Sequence, residues 1–487
     1  MIKALVSILV GTYSSERLEQ IFEEIFSSSI CECIEVVYVD DAIETSTWKI
    51  ACHYQKLYPS KITVSRNRVP LGSEKNTSNL LRMATCNVYT LIADYSDVDI
   101  WLLIQEIKDL RETGYRKGFQ TLHLKNGFGT LRQPYPSLSN KTLLSPNPIV
   151  WITVHNYNYG RFLRQCLDSL VNQTYKNIRI SFSDNASEDD SWEIANEFME
   201  RYPGKFGITR NRINMGSKIN IQNCEFHLEG DYYLQLCSDD RLALDCIEKC
   251  LYAFQGNPDA AMLIFHRDIE DTQGRIFKEP PFFNCSFKAS ATSIADVYLM
   301  SSINPSISQI MYSLKVAMPK LDSTLIDRWF SNRFRDFILS IEHPVIYINE
   351  ALLINRIHGA NDNLDIARNL IEVLGPYIAN IEFELIAKER NQNLQNAGKW
   401  HRKLASLALR YSYRSLINGD LVLARRYYYL SMAITQETDD SDANILIERA
   451  INGTHVEREA ALEALSELPS FRTRSVSYDP PLNASTL

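Results

Sequence analysis

The chain has 487 residues, 51 Lys and Arg against 59 Asp and Glu, and a formal net charge of −8. That length exceeds what one hydrophobic core organises, so about two to four domains are expected. No basic block or stripe stands out, which argues against a nucleic-acid partner. The ten cysteines show no zinc-site spacing, and the expectation is reduced thiols in a cytosolic protein.

The N-terminus carries one Lys, a short apolar run and then Thr12-Tyr13-Ser14-Ser15-Glu16. This run is too short for a membrane span and lacks a signal-peptide cleavage region, so it is expected to be a buried strand. Shifting the chain by 144 residues reveals an internal repeat without a gap. Val6, Ile8 and Val10 fall on Val150, Ile152 and Val154, and Tyr13 and Arg17 on Tyr157 and Arg161. Asp40, Trp48 and Ala51 fall on Asp184, Trp192 and Ala195, and Tyr58-Pro59 on Tyr202-Pro203. Arg66-Asn67-Arg68 falls on Arg210-Asn211-Arg212, and Gly72-Ser73 and Asn76 on Gly216-Ser217 and Asn220. Two copies of one fold are therefore expected, separated by a linker rich in Pro, Ser and Asn over residues 133–147.

In the second copy, Val150–Val154 is a short apolar run that predicts a buried strand. Leu163, Leu167, Leu170 and Val171 then lie on one helix face. Ile178, Ile180 and Phe182 alternate with polar residues as a strand does, Ser187 is positioned to cap a helix, and Tyr232–Cys237 predicts a third strand. The alternation implies an α/β domain with a mainly parallel sheet, whose ligands gather at the carboxyl ends of the strands. Polar clusters fall at those ends: His155-Asn156-Tyr157-Asn158, Asp184-Asn185 and Ser238-Asp239-Asp240.

From about Ile366 the pattern changes to long helices. Leu404, Leu407, Ala408 and Tyr411 lie at helical spacing, Asn418-Gly419-Asp420 marks a turn, and Leu423–Ile434 predicts a second helix, together resembling one tetratricopeptide-type unit. Paired helices with apolar faces must bury them, which points to a partner or homo-oligomer contact. The polar segment 472–487, with Pro480-Pro481, is expected to be loosely held.

The ordered motifs Asn-Tyr-Asn, Gln-Thr-Tyr-Lys-Asn, Ser-Asp-Asn-Ala-Ser, Asn214-x-Gly216, Glu229-Gly230-Asp231-Tyr232 and Ser-Asp-Asp resemble the inverting family-two glycosyltransferases of the GT-A fold. The resemblance covers roughly residues 148–360 and recurs in weakened form over residues 4–125. It implies a degenerate GT-A-like domain at 1–132, a catalytic one at 148–365, a helical region at 366–470 and a tail at 471–487. Both α/β domains would be Rossmann-like nucleotide-diphospho-sugar transferase folds.

The resemblance also implies a divalent metal, Mn²⁺ or Mg²⁺, that neutralises the leaving diphosphate. Its ligands would be Asp239, Asp240 and His358, and the family's further Asp is replaced here by Cys237. Asn156, Tyr157 and Asp184 would line the base pocket, with Asn214, Gly216, Ser238 and Arg356 also facing the donor. The proton acceptor for the attacking hydroxyl would be Asp327, with Asp322 and Asp336 as competitors. Taken alone, two adjacent aspartates after a strand are a polar turn and a lone His is structural; their position within the motif order favours the functional role.

The implied partners are a nucleotide-sugar donor, with UDP as carrier, and a glycan, lipid-linked or protein acceptor, soluble or at a membrane surface. In the first copy Asp94-Tyr95-Ser96 stands where the second has Ser238-Asp239-Asp240, so the metal pair is lost although Asp94 and Asp97 remain close. A two-site polymerase and a non-catalytic sugar- or nucleotide-binding protein are the competing functions. A nucleotidyltransferase is disfavoured, because Asn156–Arg161 lacks a run of glycines.

Overall fold

The computed structural model divides into two compact units, residues 1–141 with 145–241, and residues 142–144 with 242–487. It describes residues 4, 6–11, 14–42, 45–86, 88–92, 103–105, 107–108, 123–124, 147–225, 230–300, 303–316, 331–358, 368–435, 441–468, 471 and 477–487. Asp322, Asp327, Asp94 and Asp97, and the linker up to residue 146, lie outside the described residues.

The first unit contains β1 (Val6–Val10), β2 (Ile34–Asp40), β3 (Ile62–Arg66), β4 (Val88–Ile92) and β5 (His123–Leu124). It continues with β6 (Val150–Asn156), β7 (Ile178–Asp184), β8 (Phe206–Arg210) and β9 (Tyr232–Cys237). The strand order is β9-β6-β7-β8-β3-β2-β1-β4-β5. Strands β1–β4 are parallel to one another, as are β6–β9. Every residue of β1 and β2 is buried, the near-continuous apolar pattern of strands covered on both faces.

Helices connect successive strands. Ser15–Ser27 is capped by the Ser14 hydroxyl and buries Leu18, Ile21, Phe22, Ile25 and Phe26, a stripe at helical period. Gly160–Val171 buries the four predicted residues, Leu163, Leu167, Leu170 and Val171, together with Cys166. The helix expected from Ser187 begins instead at Ser191, with Asp190 at its N-cap. The reason is local: the Ser187 hydroxyl donates 2.5 Å to Asp184 and accepts from the Asn158 amide at 2.9 Å, so it closes the preceding turn.

The two halves of this unit share their geometry. Strands start at Val6, Ile34, Ile62 and Val88, and again at Val150, Ile178, Phe206 and Tyr232, each pair 144 residues apart. The turn after β2 places Ala42 at φ 59°, and the turn after β7 places Ala186 at φ 64°. Gly72 and Gly216 also match, at 84° and 81°, a backbone region that glycine enters at little cost.

The halves join through antiparallel β3 and β8, with Val64 opposite Arg210, Ser65 opposite Thr209 and Arg66 opposite Ile208. Ser65 and Thr209 are themselves counterparts 144 residues apart, and their hydroxyls lie 2.7 Å from each other. A contact between equivalent positions marks a local two-fold axis. Trp48 and Trp192, also counterparts, pack beside it with ring centroids 6.0 Å apart.

After β10 (Arg241–Leu242), whose first residue belongs to the first unit and whose second to the second, the second unit contains β11 (Met262–Glu270), β12 (Ile276–Phe277), β13 (Phe287–Ala289), β14 (Ile310–Ser313), β15 (Val345–Arg356) and β16 (Ala484–Thr486). Their order is β16-β13-β15-β11-β14, with β12 on β11. The central pair, β11 and β15, is parallel with register shifts around His266.

Among the described residues the helical region holds helix Ile371–Glu389 followed by two helix pairs rather than one: Trp400–Ile417 with Leu421–Ile434, and Ser441–Asn452 with His455–Glu467. They share a core of Leu409, Leu416, Ala424, Ile447, Ile451 and Leu465. Asp420 caps the second helix by accepting from the Leu423 amide at 2.9 Å, which explains why the Asn-Gly-Asp turn was legible.

The C-terminus is not loosely held. β16 pairs antiparallel with β13, Asn284 donates to Asp479 at 2.6 Å, and the Leu487 amide donates to the Ser286 carbonyl at 3.1 Å. The two prolines precede this strand and leave its ladder intact. No helix among the described residues is long and apolar enough to cross a membrane.

Candidate functional site

Strand β6 lies between β7 and β9, and the pairing sets Asn156 opposite Asp184 and His155 opposite Cys237. Three strand ends therefore converge at one edge of the first unit. Parallel strands end on polar residues there because their backbone ladder stops and the connecting turns need partners.

Asn156 donates to Asp184 at 3.0 Å and to the Ser187 hydroxyl at 3.2 Å. Asp184 also accepts from the Ser187 amide at 3.0 Å and lies 3.4 Å from the Arg210 guanidinium. Together with the Ser187 hydroxyl these contacts occupy both carboxylate oxygens of Asp184, whose side chain is completely buried. Burial raises its pKa, opposed by the bonds from Ser187 and Asn156 and by the Arg210 charge. Through Asn156 and Ser187, Asp184 thus braces the loop after β6 that carries Tyr157, a residue 42 % exposed.

A second layer of asparagines holds the adjoining loop. Asn185 donates to Asn214 at 2.7 Å and accepts from the Met215 amide at 2.9 Å, while the Gly216 amide donates to Asn214 at 2.9 Å. Asn220 donates to the Asn156 and Ser183 carbonyls, both at 3.1 Å, and so ties helix Ser217–Glu225 to the ends of β6 and β7. Asn211 and Asn223 complete this network.

The end of β9 carries the metal candidates. Ligand atoms of Cys237, Asp239 and Asp240 all lie within 4.8 Å of one another. The Asp240 amide donates to the Cys237 carbonyl at 3.1 Å, a tight turn that gathers the three side chains. A divalent ion binding oxygen at about 2.1 Å spans ligand pairs of about 4 Å, so small rotations would bring this set onto one ion. Two carboxylates suit Mg²⁺ or Mn²⁺, whereas the thiol is a softer donor that disfavours Mg²⁺.

His155 is a further group here that the motif order did not single out. Burial pushes its imidazole down to about 4, opposed by the nearby Asp239 charge, and Gln235 lies 3.4 Å from its Nδ1. The signal that finds it is strand register, since it sits opposite Cys237.

Arg356 and His358 belong to the second unit. Arg356 pairs with Glu270 at 3.0 Å, and His358 is 8 % exposed just beyond β15. Asp336, on helix Ser331–Glu342, is buried and accepts from the Tyr312 hydroxyl at 2.6 Å. Arg335 donates to that hydroxyl at 3.2 Å and stacks over the Tyr312 ring. Burial pushes the Asp336 carboxyl up to about 6, against the charges of Arg335 and Arg333 and the Tyr312 bond.

Residues 150–300 match the family described as Glycosyl transferase family 2. The chain is 29 % identical over 131 residues to a chondroitin synthase from Escherichia coli, covering 26 % of this chain and 18 % of that protein. It therefore spans less than a fifth of that relative's length. Solved structures that the chain matches include S. aureus TarS 1–349 in complex with UDP-GlcNAc, with 15 % identity, TM-score 0.36, and coverage of 62 % of this chain and 91 % of that one. Another is a mannosyltransferase from Pyrobaculum calidifontis in complex with GDP-Man and Mn²⁺, with 13 % identity, TM-score 0.41, and coverage of 67 % and 88 %.

Proposed function

With a family 2 glycosyltransferase domain at residues 150–300 as the premise, we propose that this chain moves a sugar from a nucleoside diphosphate donor, UDP as carrier, to a hydroxyl of a glycan, lipid-linked or protein acceptor, inverting the anomeric centre. The observation that carries this reading is the juxtaposition, across β6, of the Asn156–Asp184 pair and the Cys237, Asp239, Asp240 cluster.

Tyr157 stacks on the nucleotide base, and Asn156 with Asp184 sets the turn that receives it. The Asn214–Gly216 loop approaches the sugar nucleotide through its backbone, and Ser238 faces the donor between the two edges. Asp239 and Asp240 would hold a divalent ion, Mn²⁺ in preference to Mg²⁺ with Cys237 beside it, and His358 would be a further ligand. Such an ion supplies charge neutralisation to the departing diphosphate. Arg356 would face the phosphates of the donor.

Asp327 takes the proton of the attacking hydroxyl. One observation favours Asp336 as a second reading, since a carboxyl raised to about 6 is matched to base work near neutral pH. The first half of the first unit is a degenerate GT-A-like domain without a site of its own. The enzyme works in the cytoplasm, on soluble or membrane-surface acceptors, and the C-terminal helices serve a homo-oligomer contact.

Calorimetric titration of UDP into the full chain, with and without Mn²⁺, tests the reading. One metal-dependent equivalent supports it. Two equivalents favour a two-site polymerase, for which the duplicated half supplies a second candidate. Absence of binding, repeated with GDP, favours a non-catalytic role.

A further inference from the structure

The seam between the two halves of the first unit is symmetric in backbone and asymmetric in side chains. Each half places an arginine at the end of its third strand, against an aspartate and over a tryptophan. Arg66 lies 3.4 Å from Asp40 and 5.8 Å from the Trp48 ring, and Arg210 lies 3.4 Å from Asp184 and 5.6 Å from the Trp192 ring.

Across the two-fold axis the support runs mostly one way. Arg210 donates to Gln55 of the first half at 3.2 Å, and its other amino group donates to the Ser187 carbonyl at 2.7 Å. The counterpart of Gln55 is Met199, a thioether that offers Arg66 no comparable acceptor. Arg212 likewise draws on the first half, donating to Glu35 at 2.8 Å, to the Ser60 carbonyl at 3.1 Å and to the Thr85 hydroxyl at 3.3 Å. The counterpart of Glu35 is Arg179. Trp48 donates to Asn196 at 3.0 Å, on the helix that also carries Trp192.

We propose that the first half is a built-in positioning brace for the donor pocket of the second, acting from Gln55 through Arg210 onto Asp184 and the Ser187 turn. The inference rests on the reading of Asp184 and Tyr157 as donor-pocket residues. Gln55 is 1 % exposed, so its carbonyl oxygen is a fixed acceptor. It aims the guanidinium whose second amino group bonds the Ser187 carbonyl at one end of the turn after β7 and whose charge lies 3.4 Å from Asp184 at the other. That turn contains Ala186 in the left-handed region, a conformation the surrounding bonds must hold. The first half thereby keeps a role in catalysis without chemistry of its own. Gln55 and Arg210 are positioning residues.

The test uses the full chain with three substitutions. Gln55→Leu keeps the volume and removes the acceptor, Gln55→Glu restores an acceptor, and Ser65→Ala cuts the seam at the axis without reaching Arg210. Nucleotide dissociation constants (UDP and GDP, with Mn²⁺), melting temperatures and hydrogen exchange at the Ser187 and Asn158 amides are read for each. Gln55→Leu is expected to weaken nucleotide binding about three- to tenfold and to speed exchange at both amides. Gln55→Glu is expected to return both near the wild-type values. Ser65→Ala is expected to lower the melting temperature and leave affinity and exchange at those amides unchanged.

Unchanged exchange in Gln55→Leu, or an effect of Ser65→Ala on affinity in proportion to its melting temperature, overturns the brace. If the wild type binds neither nucleotide, the donor-pocket reading fails, and the exchange data still decide whether Gln55 holds the turn.

Discussion

Residues 6–92 and 150–237 form the same order of strands and helices at a constant offset, yet their buried charges are arranged differently. In the first half Asp41 accepts from Asn67 at 2.9 Å and from the Leu71 and Gly72 amides at 2.7 and 3.0 Å, closing its own loop. In the second half the equivalent Asn185 accepts from Asn211 and the Met215 amide and donates to Asn214, which takes the Gly216 amide in its place. Glu35, completely buried, exists only in the first half and is matched by Arg212 from the second. A shared order of strands tolerates such divergence because the sheet is held by main-chain bonds, while side chains at the strand ends are free to differ.

The comparison breaks most visibly at the proposed metal cluster. Asp239→Ala is expected to reduce transfer about a thousandfold or more with the melting temperature preserved, and Asp94→Ala in the first half to leave turnover unchanged. Steady-state rates of the two variants decide it, and equal losses would make the halves functional equals.

Next in size is the charge buried at the seam. Arg212→Ala strands Glu35 and is expected to cost about 3–5 kcal/mol in urea unfolding, against about 1 kcal/mol for its counterpart Arg68→Ala, which loses a 3.3 Å bond to the Gly204 carbonyl. Burial raises the Glu35 pKa, but bonds from Ser7 and Thr85 and the Arg212 charge outweigh it and leave it lowered. The wild-type contribution of Glu35 is therefore complete above the ordinary carboxylate range and is lost as pH falls through its lowered value. The Arg212→Ala deficit should be largest near neutrality and shrink in acid. A deficit independent of pH would place the loss elsewhere.

The proposed proton acceptor, Asp327 or Asp336, belongs to the second unit. Asp327→Ala is expected to abolish transfer and keep nucleotide binding, whereas normal turnover there combined with loss in Asp336→Asn moves the role to Asp336. Asp336 has its own pH signature. Its raised value means the folded state holds a proton that the unfolded chain releases, so stability falls between about 4 and about 6 and stays lower above. Asp336→Asn should flatten that slope in melting temperature.

The smallest effect sharpens the symmetry itself. Ala42→Gly and Ala186→Gly each relieve a left-handed alanine and are expected to stabilise by about 0.5–1 kcal/mol, equally in the two halves. Thermal melting of both variants shows whether the two turns carry the same strain.

Much of this was determined by the sequence alone. The residue pattern located four of the eight matched strands, the N-terminal apolar run and those at Val150, Ile178 and Tyr232, because short apolar or alternating runs that end on polar residues mark buried strands. The motif order located the strand ends at Asn156, Asp184 and Ser238–Asp240, since chemistry at a parallel sheet needs polar residues there.

Other features were decided only by tertiary structure. The antiparallel joint of β3 and β8 uses backbone groups that every sequence possesses, so no residue pattern announces it. Glu35 and Arg212 are 177 residues apart, and nothing local says they share a charge. Ser187 looked like a helix cap because its hydroxyl suits that role, and the fold instead offered it Asp184, a charged acceptor. The tail became β16 because an exposed edge of β13 offered it a ladder of hydrogen bonds, an offer visible only once the sheet exists.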